Sequence, residues 1–212
     1  MSSHLLETVY DALYETFGPQ HWWPGNTALE IAVGAILTQN TSWTNVEKAI
    51  RALKKERMLS AQALSALAPA TLAKLIRPAG YYNMKTKRLK NFVGLLVTQY
   101  RGDMRLMARE ELQMVRKKLL AVSGIGPETA DSIILYALNR PVFVIDAYTK
   151  RIFSRHGILS NDLSYEACQQ MFHAGLIADV QLFNEFHALL VRLAKDFCRT
   201  TPCCSGCPLE GL

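Results

Sequence analysis

The sequence contains no apolar run long enough to cross a membrane, and its N-terminus has no basic segment followed by a short apolar one. No low-complexity linker or internal repeat interrupts the chain. We therefore expect an intracellular, cytoplasmic protein that does not bind membranes. A length of 212 residues suits one or two compact domains.

Strand signals are nearly absent. The only strand-like run is residues 141–145, which is short and bounded by helical segments, so we interpret it as a buried connector. Elsewhere apolar residues recur at helical spacing, with a capping-box pattern at Thr27 and Glu30 and with Ser42 as the predicted cap of the next helix. The spacing predicts an all-α protein of roughly ten helices, including one from about residue 109 to 121.

Acidic residues are outnumbered by basic ones, 18 against 24, which gives a net charge of +6. This balance modestly favours polyanionic partners. Half of the residues are hydrophobic, which is enough for a substantial core.

The segment Ser123-Gly124-Ile125-Gly126 breaks one helix, and Pro127 restarts another. Glycines let backbone N–H groups approach an anion closely, and the following helix N-terminus adds free donors and partial positive charge. Ile125 would lie between the two helices. The turn is therefore a candidate binding site for a DNA phosphate. The alternative is an ordinary helix–helix turn with no binding role.

About twenty residues later, Asp146 follows the apolar connector at the start of a predicted helix. A carboxylate at this position can simply cap the helix. It can also stabilise positive charge that develops on a sugar when a glycosidic bond breaks, and it can orient or deprotonate water. The residues alone leave both roles open.

Cysteine is rare until the C-terminus, where four of the five fall within fifteen residues: Cys198, Cys203, Cys204 and Cys207. In an intracellular protein such a group favours a metal site over disulfides, either an iron–sulfur cluster or zinc. The histidines have no metal-like spacing with one another, and His187 is interpreted as a helix-packing residue.

The run LLAVSGIGPETADSIILYALNRPVFVIDAYTKRIFSR resembles the helix-hairpin-helix and catalytic-aspartate signature of the endonuclease III (HhH-GPD) superfamily of DNA glycosylases. The resemblance extends upstream through AVGAILTQNTSWTNVEKAI and RPAGYYNMKTKRLKNF. The segments WWP, LTQNT, GYYN and GIGPETA resemble the subgroup that contains a 3-methyladenine DNA glycosylase. The resemblance implies two helical domains, residues 21–134 with the hairpin and residues 1–20 with 135–212, which carry the aspartate and a cysteine-cluster loop.

The resemblance also implies roles for individual residues. Asp146 would be the catalytic carboxylate. Family members that also cut the DNA backbone use a lysine amine as the nucleophile, and Glu128 stands at the position of that lysine. We therefore expect a monofunctional glycosylase with weak or absent lyase activity. Lys150, one turn after Asp146, is interpreted as a salt-bridge residue.

The expected partner is double-stranded DNA containing a damaged base, bound by a monomer near the nucleoid. Gln39 and Tyr81 are candidate wedges that fill the space left by a flipped base. Contacts to the DNA backbone are expected from one further set of residues: Lys85, Lys87, Gly124, Ile125 and Gly126.

Trp22, Trp23 and Trp43 are the candidate base pocket, because each lies at the end of a predicted segment. Their rings could attract a positively charged alkylated purine by about 1–2 kcal/mol more than a neutral base. Core packing is the alternative role for each.

A [4Fe–4S] cluster is the cofactor that the resemblance implies. Cys198, Cys204 and Cys207 match its pattern, whereas the fourth cysteine would fall just after Leu212, so the cluster is expected to be incomplete unless Cys203 substitutes.

Two rival interpretations of the function remain. The first is an oxidised-pyrimidine or mismatch glycosylase with lyase activity, and the second is a non-catalytic helix-hairpin-helix DNA-binding module.

Overall fold

The computed structural model describes residues 3–212, and every regular element among them is helical. Twelve α-helices follow one another: α1 Ser3–Phe17, α2 Ala28–Leu37, α3 Trp43–Lys55, α4 Ala61–Ala66, α5 Pro69–Leu75, α6 Tyr82–Tyr100, α7 Met104–Arg109, α8 Leu112–Leu120, α9 Pro127–Ser132, α10 Ala147–Arg155, α11 Tyr165–Gly175 and α12 Val180–Asp196. A 3-10 turn, Arg77–Ala79, precedes α6, and a π-helical turn, Ile133–Ala137, extends α9. The all-α prediction is confirmed.

The predicted helix over residues 109–121 is wrong in its bounds. The backbone is extended at Glu110, which separates α7 from α8. The side chain of Asp103 caps α7 by accepting the N–H of Arg105 at 2.8 Å. A six-residue helix is too short to leave a clear apolar period in the sequence.

Side-chain caps begin several helices as predicted, with one exception. Thr27 Oγ1 accepts the N–H of Glu30 at 3.2 Å, and the Glu30 carboxylate accepts the N–H of Asn26 at 3.1 Å, so the capping box reaches one residue further back than usual. Ser42 occupies the predicted N-cap position of α3, although its side chain makes no capping hydrogen bond there.

The chain divides into two compact units. The first unit comprises the described part of Met1–Trp22 together with Pro141–Leu212. Its core contains a cluster of aromatic rings from the connector, α11 and α12: Phe143, Phe172, Phe183 and Phe186. Residues 142–145 are buried without forming a strand, as the sequence predicted.

The second unit spans Trp23–Arg140 and contains α2–α9. Helix α2 lies at its centre and is buried over nearly its whole length. The π-helical turn packs against α2, which places residues 133–140 in this unit. No helix between residues 3 and 212 is both long and apolar enough to span a membrane.

Candidate functional site

The hairpin, defined as α8, the turn 121–126 and α9, presents an exposed glycine turn. Gly124 has a φ of +93°, a conformation that favours glycine. The Ile125 side chain is buried, and its N–H donates to Val122 O at 3.0 Å, so the residue holds the two helices together. Ser123, Gly124 and Gly126 are exposed, so the turn can approach a partner.

An ion pair braces the hairpin from inside. Arg116 on α8 donates to both oxygens of the Asp131 carboxylate on α9, at 2.8 and 3.1 Å. The Asp131 side chain is fully buried, whereas Arg116 keeps partial access to water. Bidentate geometry of this kind fixes the relative orientation of two helices.

Gln39 is tied to the hairpin rather than free in solvent. Its Nε2 donates to Thr129 Oγ1 at 2.7 Å and to Gly124 O at 3.3 Å, and Arg88 Nη1 donates to its Oε1. The other predicted wedge, Tyr81, lies at the start of α6 with 67% of its surface exposed and a φ of +43°. A bulky residue in the left-handed region is strained, and such strain is found most often at functional sites.

Lys85 is the site prediction that the structure overturns. The residue is 1% exposed, and its ammonium donates to Leu37 O and Ala79 O, each at 2.8 Å. Burial, together with the nearby charge of Arg88, lowers the pKa of Lys85 to about 8. An ammonium buried in this way does not reach a DNA phosphate, and it instead joins the end of α2 to the start of α6. Lys87, two residues on, is exposed and remains available for such a contact.

Two of the three predicted tryptophans meet in an aromatic cluster with Tyr136, a residue that the sequence did not single out. The rings of Trp23 and Trp43 lie edge to face, 5.3 Å apart, and Tyr136 lies 5.1 Å from Trp23. A Cβ on Gly34 would be 3.2 Å from Trp23 Nε1, so glycine in α2 makes room for the cluster. Trp22 is half-buried and belongs to the first unit.

Within this cluster, the indole N–H of Trp43 donates to Glu47 Oε1 at 3.0 Å, one helical turn later. The hydrogen bond holds the indole ring against its own helix. The orientation of Trp43 is therefore set by local contacts as well as by packing.

Asp146 is the N-cap of α10 in the first unit. Its Oδ1 accepts the backbone N–H of Thr149 at 2.7 Å and the hydroxyl of the same residue at 2.8 Å. Its Oδ2 lies 3.5 Å from Nε2 of His187, and the two side chains are 11% and 8% exposed. The predicted cap is therefore present, and the interpretation of His187 as only a packing residue missed its polar partner.

The pKa of Asp146 is lowered although the carboxyl is buried. Burial raises the pKa, but the charge of His187 close to the carboxylate and the two hydrogen bonds from Thr149 together lower it by more. Asp146 is consequently an anion at neutral pH. Lys150 points elsewhere, since its ammonium donates to Leu163 O at 2.7 Å, in place of the predicted salt bridge.

The four C-terminal cysteines line one cavity of about 370 Å³. Arg155 Nη1 lies 3.3 Å from Cys198 Sγ, and burial raises the pKa of the Cys207 thiol. Thiolates are the usual ligands of iron–sulfur clusters, so these residues are of the right chemical type. No three of the His, Cys, Asp and Glu side chains in residues 3–212 are arranged to hold a single metal ion.

A comparison with protein families decides the class of this chain. The model of the HhH-GPD superfamily of base excision DNA repair proteins matches residues 33–175. The chain belongs to the HhH-GPD superfamily. The matched region contains the hairpin and Asp146, whereas the cysteines at 198–207 and the first two tryptophans lie outside it.

Relatives of this HhH-GPD chain include the following two proteins. One from Methanocaldococcus jannaschii, named as a candidate DNA repair glycosylase, is 45% identical over 208 residues, covering 97% of this chain and 94% of that protein. Endonuclease III of Sulfolobus acidocaldarius is 30% identical over 140 residues, covering 66% of this chain and 60% of its own length.

Solved structures agree with the predicted fold and subgroup. The 3-methyladenine DNA glycosylase of Helicobacter pylori, bound to 1,N6-ethenoadenine, superposes with a TM-score of 0.79 at 27% identity, covering 92% of this chain and 98% of that one. An endonuclease III trapped covalently on DNA superposes with a TM-score of 0.82 at 19% identity, covering 99% of this chain and 94% of that one. At that identity the second match establishes the fold alone.

Proposed function

We propose that this HhH-GPD protein is a monofunctional DNA glycosylase. It hydrolyses the N-glycosidic bond of a damaged base flipped from double-stranded DNA, with an alkylated purine such as 3-methyladenine as the substrate. The observation that carries the proposal is Asp146, a carboxylate that is nearly buried yet held as an anion by Thr149 and His187.

The chemistry follows from that charge. When the base leaves with the electrons of the glycosidic bond, the deoxyribose acquires oxocarbenium character. The Asp146 carboxylate stabilises this positive charge and accepts a proton from the water that adds to the sugar. Its rigid attachment at the start of α10 limits reorganisation during the reaction.

The aromatic cluster supports the choice of substrate. Trp23 and Trp43 are partly exposed electron-rich rings that pack with the buried Tyr136. Alkylated purines carry positive charge, so cation–π attraction to the exposed rings favours them by about 1–2 kcal/mol. Trp22, in the first unit, is proposed as a further residue that contacts the flipped base. The structural similarity to the Helicobacter pylori 3-methyladenine DNA glycosylase supports the same class of substrate.

Glu128 supports the absence of strand cleavage. It is exposed in the first turn of α9, at the position where the resemblance places the lyase lysine. A carboxylate cannot form the imine on which lyase chemistry depends. The protein therefore leaves an intact abasic site.

Binding to DNA is proposed to rest on the hairpin turn, with the N–H groups of Gly124 and Gly126 directed at a phosphate and the buried Ile125 side chain holding the turn in shape. Lys87 adds a second phosphate contact, while Gln39 and Tyr81 fill the gap left by the flipped base. The affinity should fall steeply with salt, since each phosphate contact releases counterions. We propose that the protein acts as a monomer.

The cysteine cavity is the proposed location of a [4Fe–4S] cluster, with Cys198, Cys204 and Cys207 as ligands and Cys203 as the fourth. Such a cluster supplies structural cross-links and redox activity, and no step of base release passes through it. Zinc is the competing occupant. A brown protein with iron in the purified sample supports the cluster, whereas stoichiometric zinc overturns it.

The proposed activity is tested with duplex oligonucleotides that each carry one lesion: 3-methyladenine, ethenoadenine, an oxidised pyrimidine or a mismatched adenine. Products are analysed with and without alkali. We expect release of alkylated purines and strand breaks only after alkali, and Asp146→Asn should bind DNA but release no base.

Three other results of this assay would contradict parts of the proposed function. Breaks without alkali would overturn the monofunctional assignment, and processing of only oxidised or mismatched bases would overturn the substrate. If the wild type binds DNA and releases no base, the protein is a binding module.

A further inference from the structure

The two oxygens of the Asp146 carboxylate have different surroundings. Oδ1 accepts two hydrogen bonds, both from Thr149, and its acceptor capacity is used. Oδ2 faces His187 Nε2 at 3.5 Å. Oδ2 is therefore the oxygen with capacity left for a reacting sugar or a water molecule, and His187 is the side chain next to it.

His187 occupies an unusual place on α12. The buried face of that helix is otherwise apolar, comprising residues such as Phe183, Phe186 and Leu190, whereas His187 is a polar exception that is 6% exposed. Burying an imidazole among such neighbours costs free energy that an apolar residue would avoid. The contact with Asp146 gives the imidazole a polar partner.

We propose that His187 is a positioning residue for base release: it holds Oδ2 of Asp146 in place. The proposal rests on the glycosylase function above. Thr149 alone restrains one oxygen from within α10, and the carboxylate could still turn about that contact. A second contact from α12 fixes its plane, which is what preorganised charge stabilisation requires.

The charge of Asp146 depends on the same contact. A buried carboxyl without enough donors takes up a proton, because burial disfavours the anion. A neutral Asp146 would not stabilise a cationic sugar. Removal of His187 should therefore weaken the recognition of positive charge more than the recognition of DNA.

The test compares two side-chain amides at this position. In His187→Gln the amide nitrogen can reach the location of Nε2, whereas in His187→Asn it is one methylene too short. His187→Phe removes the donor while keeping bulk on the α12 face, and Phe186→Leu disturbs the same face without removing a polar group. Thermal unfolding establishes that each variant is folded.

The first readout is binding to duplexes that contain an abasic analogue, either a cationic pyrrolidine or a neutral tetrahydrofuran. The wild type should prefer the cationic duplex, and Asp146→Asn should abolish the preference. We expect His187→Asn and His187→Phe to reduce it by about tenfold, and His187→Gln and Phe186→Leu to retain it.

The second readout is single-turnover release of 3-methyladenine at saturating protein. The rate should fall by about tenfold or more in the Asn and Phe variants and recover in the Gln variant, with little change in the concentration needed for half saturation.

Equal behaviour of the Asn and Gln variants, or a wild-type charge preference in His187→Asn, would overturn the positioning role. If His187→Phe does not fold, the comparison of His187→Asn with His187→Gln still tests the positioning role. A wild type with no preference for the cationic duplex instead counts against the proposed function of Asp146, so the two failures are distinguishable.

Discussion

Replacement of Lys85 by methionine should change the stability of the protein in a way that depends on pH. Methionine is one atom shorter than lysine, fills most of the same space and carries no charge. At pH 7 the variant loses two hydrogen bonds to Leu37 O and Ala79 O, each worth about 1.5–3 kcal/mol for a charged donor. It also avoids burying an ammonium, so the net loss at pH 7 should be only about 1 kcal/mol.

The larger effect appears in alkaline solution. The pKa of Lys85 falls from 10.5 to about 8 in the folded protein, which corresponds to about 3.5 kcal/mol at about 1.4 kcal/mol per pH unit. Between these two values the unfolded chain binds more protons than the folded one, so the wild type gains stability as the pH rises. The methionine variant has no such proton to release.

Urea unfolding of both proteins at pH 7 and pH 9.5 measures this gain. The difference in unfolding free energy, wild type minus Lys85→Met, should grow by about 2 kcal/mol across that interval. Other titrating groups contribute equally to both proteins and cancel. If the difference in unfolding free energy stays constant or shrinks between pH 7 and pH 9.5, the lowered pKa of a buried Lys85 ammonium is refuted.

Four further substitutions test the surroundings of the proposed site. Gly34→Ala should cost about 1–2 kcal/mol in urea unfolding and alter tryptophan fluorescence, because the added Cβ presses on Trp23. Gly124→Ala should cost about 1–2 kcal/mol through its positive φ and weaken DNA binding in a fluorescence anisotropy assay. Asp131→Ala should lower stability by about 3 kcal/mol, because Arg116 loses its buried partner. Tyr81→Gly should raise thermal stability slightly while lowering base release by about tenfold, and a less stable Tyr81→Gly protein would contradict strain at that residue.

The parts of the fold that could be predicted are those encoded within a few residues. The capping box at Thr27, the proline start of α9 and the glycine turn depend on local backbone chemistry, and each is found where the sequence placed it. The helix α7 was missed because six residues carry too little periodicity. Ser42 shows that a residue suited to capping need not use its side chain.

Lys85 and His187 were misinterpreted for a different reason. Each is polar but lies on the buried face of its helix, four residues before Leu89 and three before Leu190 respectively. That spacing was a usable signal of burial. Their partners, the carbonyls at the end of α2 and the carboxylate of Asp146, are distant in sequence, and no local pattern identifies them.

The double role of Asp146 as helix cap and charged group gives a practical means of capturing the substrate. Asparagine caps helices about as well as aspartate, so Asp146→Asn can keep the hydrogen bonds from Thr149 while losing the negative charge. Alanine would remove both and cost about 1 kcal/mol of stability. The asparagine protein should therefore be intact yet inert, and suited to crystallisation with an uncleaved lesion.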